Sequence, residues 1–408
     1  MFSSVIIKIE LINKGVTTHN MKLLNLIFFL YLPLCALANE NRFVIESEAM
    51  KLKVEQVADG FGVPWGIAVL SSNELLITER EGAIKIFYID KSKAVTLKNT
   101  PDVLVDGQGG MLDVVLAPDF NTSSWVYFTY VKDVNGEGAT VLARAKVKDH
   151  KLSGWQELLV TESATSQNYH FGSRITFDEA GHVYFSVGDR GVRPSAQDRS
   201  NHAGTIIRLN SDGSIPKDNP FNKVPHNTKQ TMKKPSVLPE IWSYGHRNPQ
   251  GMAYDLENKR LWSIEHGPRG GDEINLIRPA NNYGWPVISH GKEYWGPVSV
   301  GEATHRDDIS APVKVYIPSI APGSLIYYAG DALPGWKGNL LSGALKLRHI
   351  NRIVLDRDGL FLKEERILED LDERIRALTQ SPQGLIYFTT DSGKIYRISP
   401  YDKLPHYN

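Results

Sequence analysis

Apolar and polar residues alternate along most of this chain in short runs, and the runs stop at Gly, Pro, Asn or Asp. Alternation with period two is a strand signal, because successive side chains leave a strand on opposite faces. One phrase recurs. A small residue leads into an alternating apolar strand, a turn follows, and then comes a second strand rich in Tyr, Phe and Ile. The copies pair residues 64–68 with 74–78, 110–115 with 125–128, and 172–177 with 182–186. Three more pair 250–254 with 261–264, 323–327 with 339–342, and 375–378 with 385–389. Repeats about 50 to 75 residues apart are longer than an ordinary blade and imply inserted loops. A four-stranded blade cannot bury its faces alone, whereas a ring of blades buries them and leaves no long edge exposed. The pattern predicts an all-β protein, a six-bladed β-propeller with inserted loops over residues 51–400. A pair of β-sandwiches is the alternative, and six copies of one phrase favour the ring. The most irregular stretches are 211–239, which carries Lys217, Lys223, Lys229, Lys233 and Lys234, and 284–312. Loops this long in a compact domain are usually functional or mobile. The lysines read as a solvated face.

Composition adds exclusions. Of 408 residues, 41% are hydrophobic and 23% charged, and Lys+Arg balance Asp+Glu at 46 each. The zero net charge gives no support for a nucleic-acid or membrane-surface partner. Met21 and Lys22 precede an apolar run over 23–34, followed by Ala36, Leu37 and Ala38. That is the layout of a secretory signal with a small-x-small cleavage site. The run is shorter than the roughly 20 residues of a spanning helix, so no membrane span is expected. We expect residues 1–20 to be an upstream extension with Met21 the true start, 21–38 a signal peptide, 39–50 a linker and 401–408 a tail. The mature protein is expected to be periplasmic or secreted, as a monomer or homodimer. Lipid anchoring at Cys35 is disfavoured because Leu34 before it is not small. Cys35 is the sole cysteine, so cleavage after Ala38 leaves no disulfide.

Propeller sites form where loops of one face meet the central channel, which makes polar residues at strand ends the candidates. His170, beside a turn, and Asp189, at the end of the same blade's second strand, form a possible base and orienter. A histidine that merely satisfies a loop carbonyl is the plainer alternative. Residues 265–275 crowd Glu, Gly, Pro and Asp into one turn, which suits calcium because backbone carbonyls there supply oxygens. An ordinary Asx-bonded turn accounts for the same residues. Lys346, Arg348, Arg374 and Arg376 stand in late turns. Arg374 and Arg376 are two apart, so like charges share a face, at a cost unless an anion lies between them. With Arg247 they suggest a polyanion pocket. Pairing of Arg374 with Asp372 or Glu373 is the alternative. No P-loop, dinucleotide fingerprint, H-E-x-x-H or paired-cysteine metal motif occurs.

Together these segments resemble the soluble PQQ-dependent sugar dehydrogenases, the family of aldose sugar dehydrogenase and soluble glucose dehydrogenase. The resemblance runs from about Gly60 to Arg397. Its most specific words are residues 107–110 with 117–120, 244–251, 271–277 and 282–286, the lysine at 346, and 373–376. It implies a six-bladed propeller, PQQ and calcium as cofactors, an aldose substrate and an external electron acceptor. His170 matches the family's general base and Asp189 the carboxylate that orients it. Gln108, Arg247, Asn248, Lys346, Arg374 and Arg376 match side chains around PQQ. Tyr294 resembles a further cofactor contact, and Ser319 stands where the glucose enzymes have threonine. Gly267 and Pro268 match carbonyl ligands of the cofactor calcium, and Glu273 and Tyr283 a second, structural calcium site. His266 replaces a glutamine of the glucose enzymes, and Phe171, Gly172 and Ser173 replace Gln-Ser-Gly. Both departures resemble the aldose branch. Two other readings are a calcium-dependent lactonase, which needs no cation cluster, and a carbohydrate-binding propeller, which needs neither that cluster nor His170.

Overall fold

The structure is a computed structural model, and it describes residues 42–222 and 236–401. The expected signal peptide, Cys35, most of the tail and four of the loop lysines fall outside these residues. Six antiparallel sheets form a ring: a six-bladed β-propeller. Each sequence phrase falls on the two inner strands of one blade. The innermost strands are Pro64–Ser71, Met111–Leu116, Ile175–Phe177, Pro249–Asp255, Pro322–Tyr327 and Ile375–Gln380. Each of these packs against the next around the channel, and the last packs against the first.

Burial explains the apolar pattern. Leu75, Leu76 and Ile77 are all fully buried, as are Val183, Phe185 and Val187. Inner strands have a neighbouring blade on both faces, so the runs become continuous instead of alternating. Outer strands such as Lys93–Thr96 are largely exposed. Every pair of adjacent blades shares a hydrophobic cluster. Tyr127 and Leu142 of the second blade meet Phe177 and Phe185 of the third, for example, and Ile67 and Leu75 of the first meet Ala377 and Tyr387 of the sixth. Close approach of inner strands also requires small residues. A Cβ on Gly251 would lie 2.5 Å from the backbone nitrogen of Leu325 in the next blade.

The N-terminus closes the ring. Strand Lys51–Ala58 pairs with Ile395–Pro400, completing the sixth blade. The segment expected as a linker is partly strand: Arg42–Glu46 pairs outside Lys51–Ala58 as a fifth strand. Ile45 packs against the core cluster there, while Phe43 and Val44 remain exposed, so only part of the alternating signal is used. Helices are few and short, and among the described residues none is long and apolar enough to cross a membrane.

One side chain touches every blade. Arg174, just before the innermost strand of the third blade, donates through Nε to Gln250 O at 2.8 Å and through Nη2 to Gly323 O at 2.5 Å and Arg376 O at 3.0 Å. Its Nη1 donates to Asp113 Oδ1 at 2.9 Å and Trp65 O at 3.4 Å. The acceptors come from the fourth, fifth, sixth, second and first blades, which uses all five guanidinium N–H groups. Asp113 Oδ2 also accepts from Ile175 N at 2.9 Å. Removing one partner of a buried pair leaves the other charge uncompensated. Arg174→Met is expected to lower stability by about 3–5 kcal/mol, read as a lower urea midpoint with an unchanged slope. An unchanged midpoint would show that the ring closes without this residue.

Candidate active site

The segment carrying His170 is a tight curl at the channel mouth. His170, Gly172 and Ser173 all take left-handed backbone angles, with φ of 58°, 63° and 89°. His170 Nδ1 lies 2.7 Å from Asp189 Oδ1, and its backbone N–H donates to Gln108 Oε1 at 2.9 Å. Asp189 sits at the end of a buried strand and is itself fixed. Its Oδ1 accepts from Gly191 N at 2.9 Å and its Oδ2 from Trp285 Nε1 at 2.7 Å. Burial holds His170 below the usual imidazole value, helped by the Arg247 and Arg190 charges and opposed by Asp189. Burial alone would raise Asp189, but its bond to His170 and the nearby charges outweigh that and keep it low. The result is a neutral imidazole donating its Nδ1 proton to a carboxylate. Its Nε2 lone pair is bonded by none of the described side chains, so it is free to accept a proton.

Beside it lies a cavity of about 230 Å³, lined among others by Trp65, Gln108, Asn248, Arg374 and Arg376. Sequence reasoning thus places four of its cofactor residues on one cavity wall. Gln108 Oε1 is committed to His170, and Asn248 Oδ1 accepts from Gly172 N at 3.1 Å and from Gln250 Nε2 at 3.3 Å. Both amides therefore keep their NH₂ groups for a ligand. Arg374 and Arg376 do share a face, but neither Asp372 nor Glu373 is their partner. Asp372 pairs with Arg348 and Glu373 with Lys394, each at 2.7 Å. Both arginines bond Asp391, at 2.8 Å each, because the loop after the sixth blade's second strand brings it between them. Two guanidinium groups on one carboxylate leave a surplus positive charge. Arg80 also lines the cavity, and its Nε is buried without a partner among the described residues, as is Nε of Arg247.

The other expected contacts are more dispersed. Lys346 is exposed beside Leu345, which lines the cavity and whose carbonyl accepts from Arg374 Nη1 at 3.0 Å. Arg247 belongs to a second, small cavity, and its Nη1 donates to His266 O at 3.2 Å. Ser319 does not line the main cavity. Its hydroxyl accepts from Gly270 N at 3.1 Å and donates to Pro268 O at 3.3 Å, so it braces the Gly-Pro turn. Tyr294 is 66% exposed, beyond the cavity lining, on an inserted segment where Glu293 N bonds Val298 O.

The small cavity gathers the expected metal residues: Gly267, Pro268, Glu273 and Tyr283, together with Glu265. Asp272 shapes the turn, accepting from Gly267 N and Ala321 N at 2.8 Å each. Glu265 accepts from His246 Nδ1 at 2.9 Å and Arg247 N at 2.7 Å. Burial and the neighbouring Glu265 carboxylate push Glu273 up to about 8. The Tyr283 hydroxyl donates to Leu276 O and accepts from Arg278 N, which leaves its backbone carbonyl as the group that could meet a cation. Among the described residues no cluster of three or more His, Cys, Asp or Glu side chains is arranged to hold a metal. A cation here would need main-chain oxygens. His266 is pushed down to about 3 by burial and bonds Pro322 O through Nε2 at 2.7 Å, so it stays neutral.

Three residues escaped sequence reasoning. Trp285 lay inside a quoted motif, but nothing in its spacing says that its indole reaches Asp189. Arg80 is flanked by Glu79 and Glu81, a run that reads as solvated surface. Asp391 follows its strand as an ordinary turn acid.

Comparison with known proteins gives the family. A family model described as Glucose / Sorbosone dehydrogenase matches residues 61–397. Aldose sugar dehydrogenase YliI of Escherichia coli (strain K12) is 37% identical over 360 residues, covering 86% of this chain and 93% of that protein. Quinoprotein glucose dehydrogenase B of Acinetobacter calcoaceticus is 26% identical over 410 residues, covering 80% of this chain and 82% of that protein. The solved apo-form of the soluble aldose sugar dehydrogenase from Escherichia coli matches with a TM-score of 0.79 at 35% identity, covering 86% of this chain and 99% of that one. A match over this much of the chain makes it an oxidoreductase and a member of the glucose/sorbosone dehydrogenase family.

Proposed function

We propose that the chain oxidises aldose sugars at C1 to lactones, using PQQ and calcium, and passes the electrons to an external acceptor. The observation that carries this reading is the neutral, Asp189-oriented His170 with an open Nε2 beside a cavity walled by guanidinium groups. The residues present suit PQQ, a tricarboxylate. Arg374 and Arg376 carry a surplus charge after Asp391, and Arg80 and Arg247 have buried nitrogens without partners among the described residues. Charge-assisted bonds to carboxylates are worth about 1.5–3 kcal/mol each. Arg374, Arg376 and Lys346 would hold the carboxylates, and the amides of Gln108 and Asn248 would donate to the ring system. Tyr294 would complete the site from its inserted segment, and Ser319 by bracing Pro268. When bound, PQQ supplies a two-electron, hydride-accepting quinone, chemistry that no side chain provides.

His170 Nε2 takes the proton of the anomeric hydroxyl as C1 loses its hydride. The imidazolium so formed is stabilised by Asp189, whose other oxygen is held by Trp285 and cannot swing away. The carbonyls of Gly267 and Pro268 suit a calcium beside the cofactor, since calcium takes several oxygen ligands, main-chain carbonyls among them. Glu273 with the Tyr283 carbonyl suits a second, structural ion. Cleavage after Ala38 would deliver the enzyme to the periplasm or outside the cell.

Purified protein given calcium and PQQ should gain cofactor absorbance and reduce a dye with aldoses; failure to bind PQQ would remove the proposal. His170→Ala should lower kcat by about 10²–10⁴-fold while PQQ affinity holds, and full activity would reassign the base. The base works only when neutral, and a folded pKa below the usual value keeps it neutral further into acid. The acid limb of kcat/KM should therefore fall below pH 6.5, the ordinary imidazole value; a limb at or above that value would contradict the assignment. Glu273→Gln should diminish the rise in unfolding midpoint that calcium gives the parent protein by one site's share, about 2.7 kcal/mol at a hundredfold excess over Kd. An undiminished rise would place the ion elsewhere.

A further inference from the structure

Arg190 follows the carboxylate that holds His170, yet neither motif nor spacing gives it a role. It is fully buried. Its Nη1 donates to Tyr169 O, and its Nη2 donates to Gln167 O at 2.6 Å and to Gly138 O at 3.2 Å. Its guanidinium carbon lies 3.5 Å from the centre of the Phe171 ring. One planar group therefore grips the residue before His170 through its carbonyl and the residue after it through its ring. Gly138 belongs to strand Glu137–Lys148, so the same group ties the curl to the second blade. The next residue completes the fit, since a Cβ on Gly191 would lie 2.7 Å from the Tyr169 ring.

The backbone needs such a grip. A non-glycine residue held at positive φ costs of order 1–3 kcal/mol and persists only where its surroundings over-determine it. Asp189 fixes the imidazole; Gln108 holds the His170 N–H and the Asn168 carbonyl, Thr140 the Phe171 carbonyl, and Asn248 and Gln250 hold Gly172, so among the described residues the Gln167 and Tyr169 carbonyls are left to Arg190.

We infer that Arg190 is the positioning residue for His170: its guanidinium clamps the Gln167 and Tyr169 carbonyls and the Phe171 ring, and so fixes where the His170 imidazole stands. The inference rests on His170 being the base. Lysine keeps the charge but cannot bond several carbonyls in one plane and stack on a ring at once, so Arg190→Lys isolates the clamp from the charge.

The test compares full-length Arg190→Lys, Phe171→Leu and His170→Ala with the parent protein, loaded with PQQ and calcium. A misplacement of about 1 Å can cost on the order of 100-fold. Arg190→Lys should therefore lose at least about tenfold in kcat while sugar KM and PQQ affinity stay within about threefold. Phe171→Leu, which removes only the ring, should lose less. In protein without cofactor, the ¹⁵N signals of His170 should be single in the parent and broadened or doubled in Arg190→Lys. A parent-like kcat in Arg190→Lys, with His170→Ala inactive, overturns the clamp and spares the base. An active His170→Ala overturns the base itself. Loss of PQQ and sugar binding in step with kcat would make Arg190 a general fold residue and also overturn the inference. If Arg190→Lys does not fold, Phe171→Leu decides: unchanged kcat and a single His170 signal count against the clamp.

Discussion

Arg174 occupies the point where the six innermost strands converge, and the other five blades each supply it with an acceptor. A buried charge is costly unless every donor is met, because the medium around it screens poorly. Here all five N–H groups are met only when all six blades stand in register. The guanidinium thus makes the stability of the centre conditional on the geometry of the whole ring. The hydrophobic clusters between blades lack that selectivity, since apolar contact tolerates sliding. The site inherits the constraint directly. Ser173, the neighbour of Arg174, ends the curl that carries His170, and Arg376 gives its carbonyl to Arg174 and its side chain to the cavity.

The electrostatics of the site follow from two opposed demands. A polyanionic ligand calls for cations, and a base calls for a neutral imidazole. Different arginines meet them: Arg374 and Arg376 line the cavity, and others act on His170. Arg247 and Arg190 disfavour a proton on His170, while Asp189 prevents the imidazole from losing its orientation or the ability to carry a proton transiently. Asp391 tempers the charge of Arg374 and Arg376 without cancelling it, which lets two guanidinium groups stand side by side before any ligand arrives.

Much of this was legible in the chain. The six phrases mark the two inner strands of each blade because those strands are buried on both faces, and burial leaves a strong compositional trace. His170, Asp189, Arg374 and Arg376 could be named because they sit at the ends of those strands or in their turns, whereas Gln108 and Asn248 were named through the family resemblance. What failed was pairing across long separations. Sequence proximity offered Asp372 and Glu373 to the late arginines, but Asp391 reaches them from the following turn. The indole of Trp285 reaches Asp189 across 96 positions, and no period or spacing records that. Strand Arg42–Glu46 was missed because an edge strand buries little and reads much like a linker.

The ring is sealed by strand Lys51–Ala58, from the first part of the chain, pairing with Ile395–Pro400, from the last. The cavity likewise takes Trp65 and Gln108 from early blades and Arg374, Arg376 and Asp391 from the final one. A growing chain therefore lacks this cavity's full lining at any stage before its C-terminal strands emerge. Closure and ligand capacity arrive together, and whatever binds in the cavity acts as a brace across the seam. Loss of strand Ile395–Pro400 would be felt at the cavity, because that strand pairs with Ile386–Thr390, whose end carries Asp391 to the arginines.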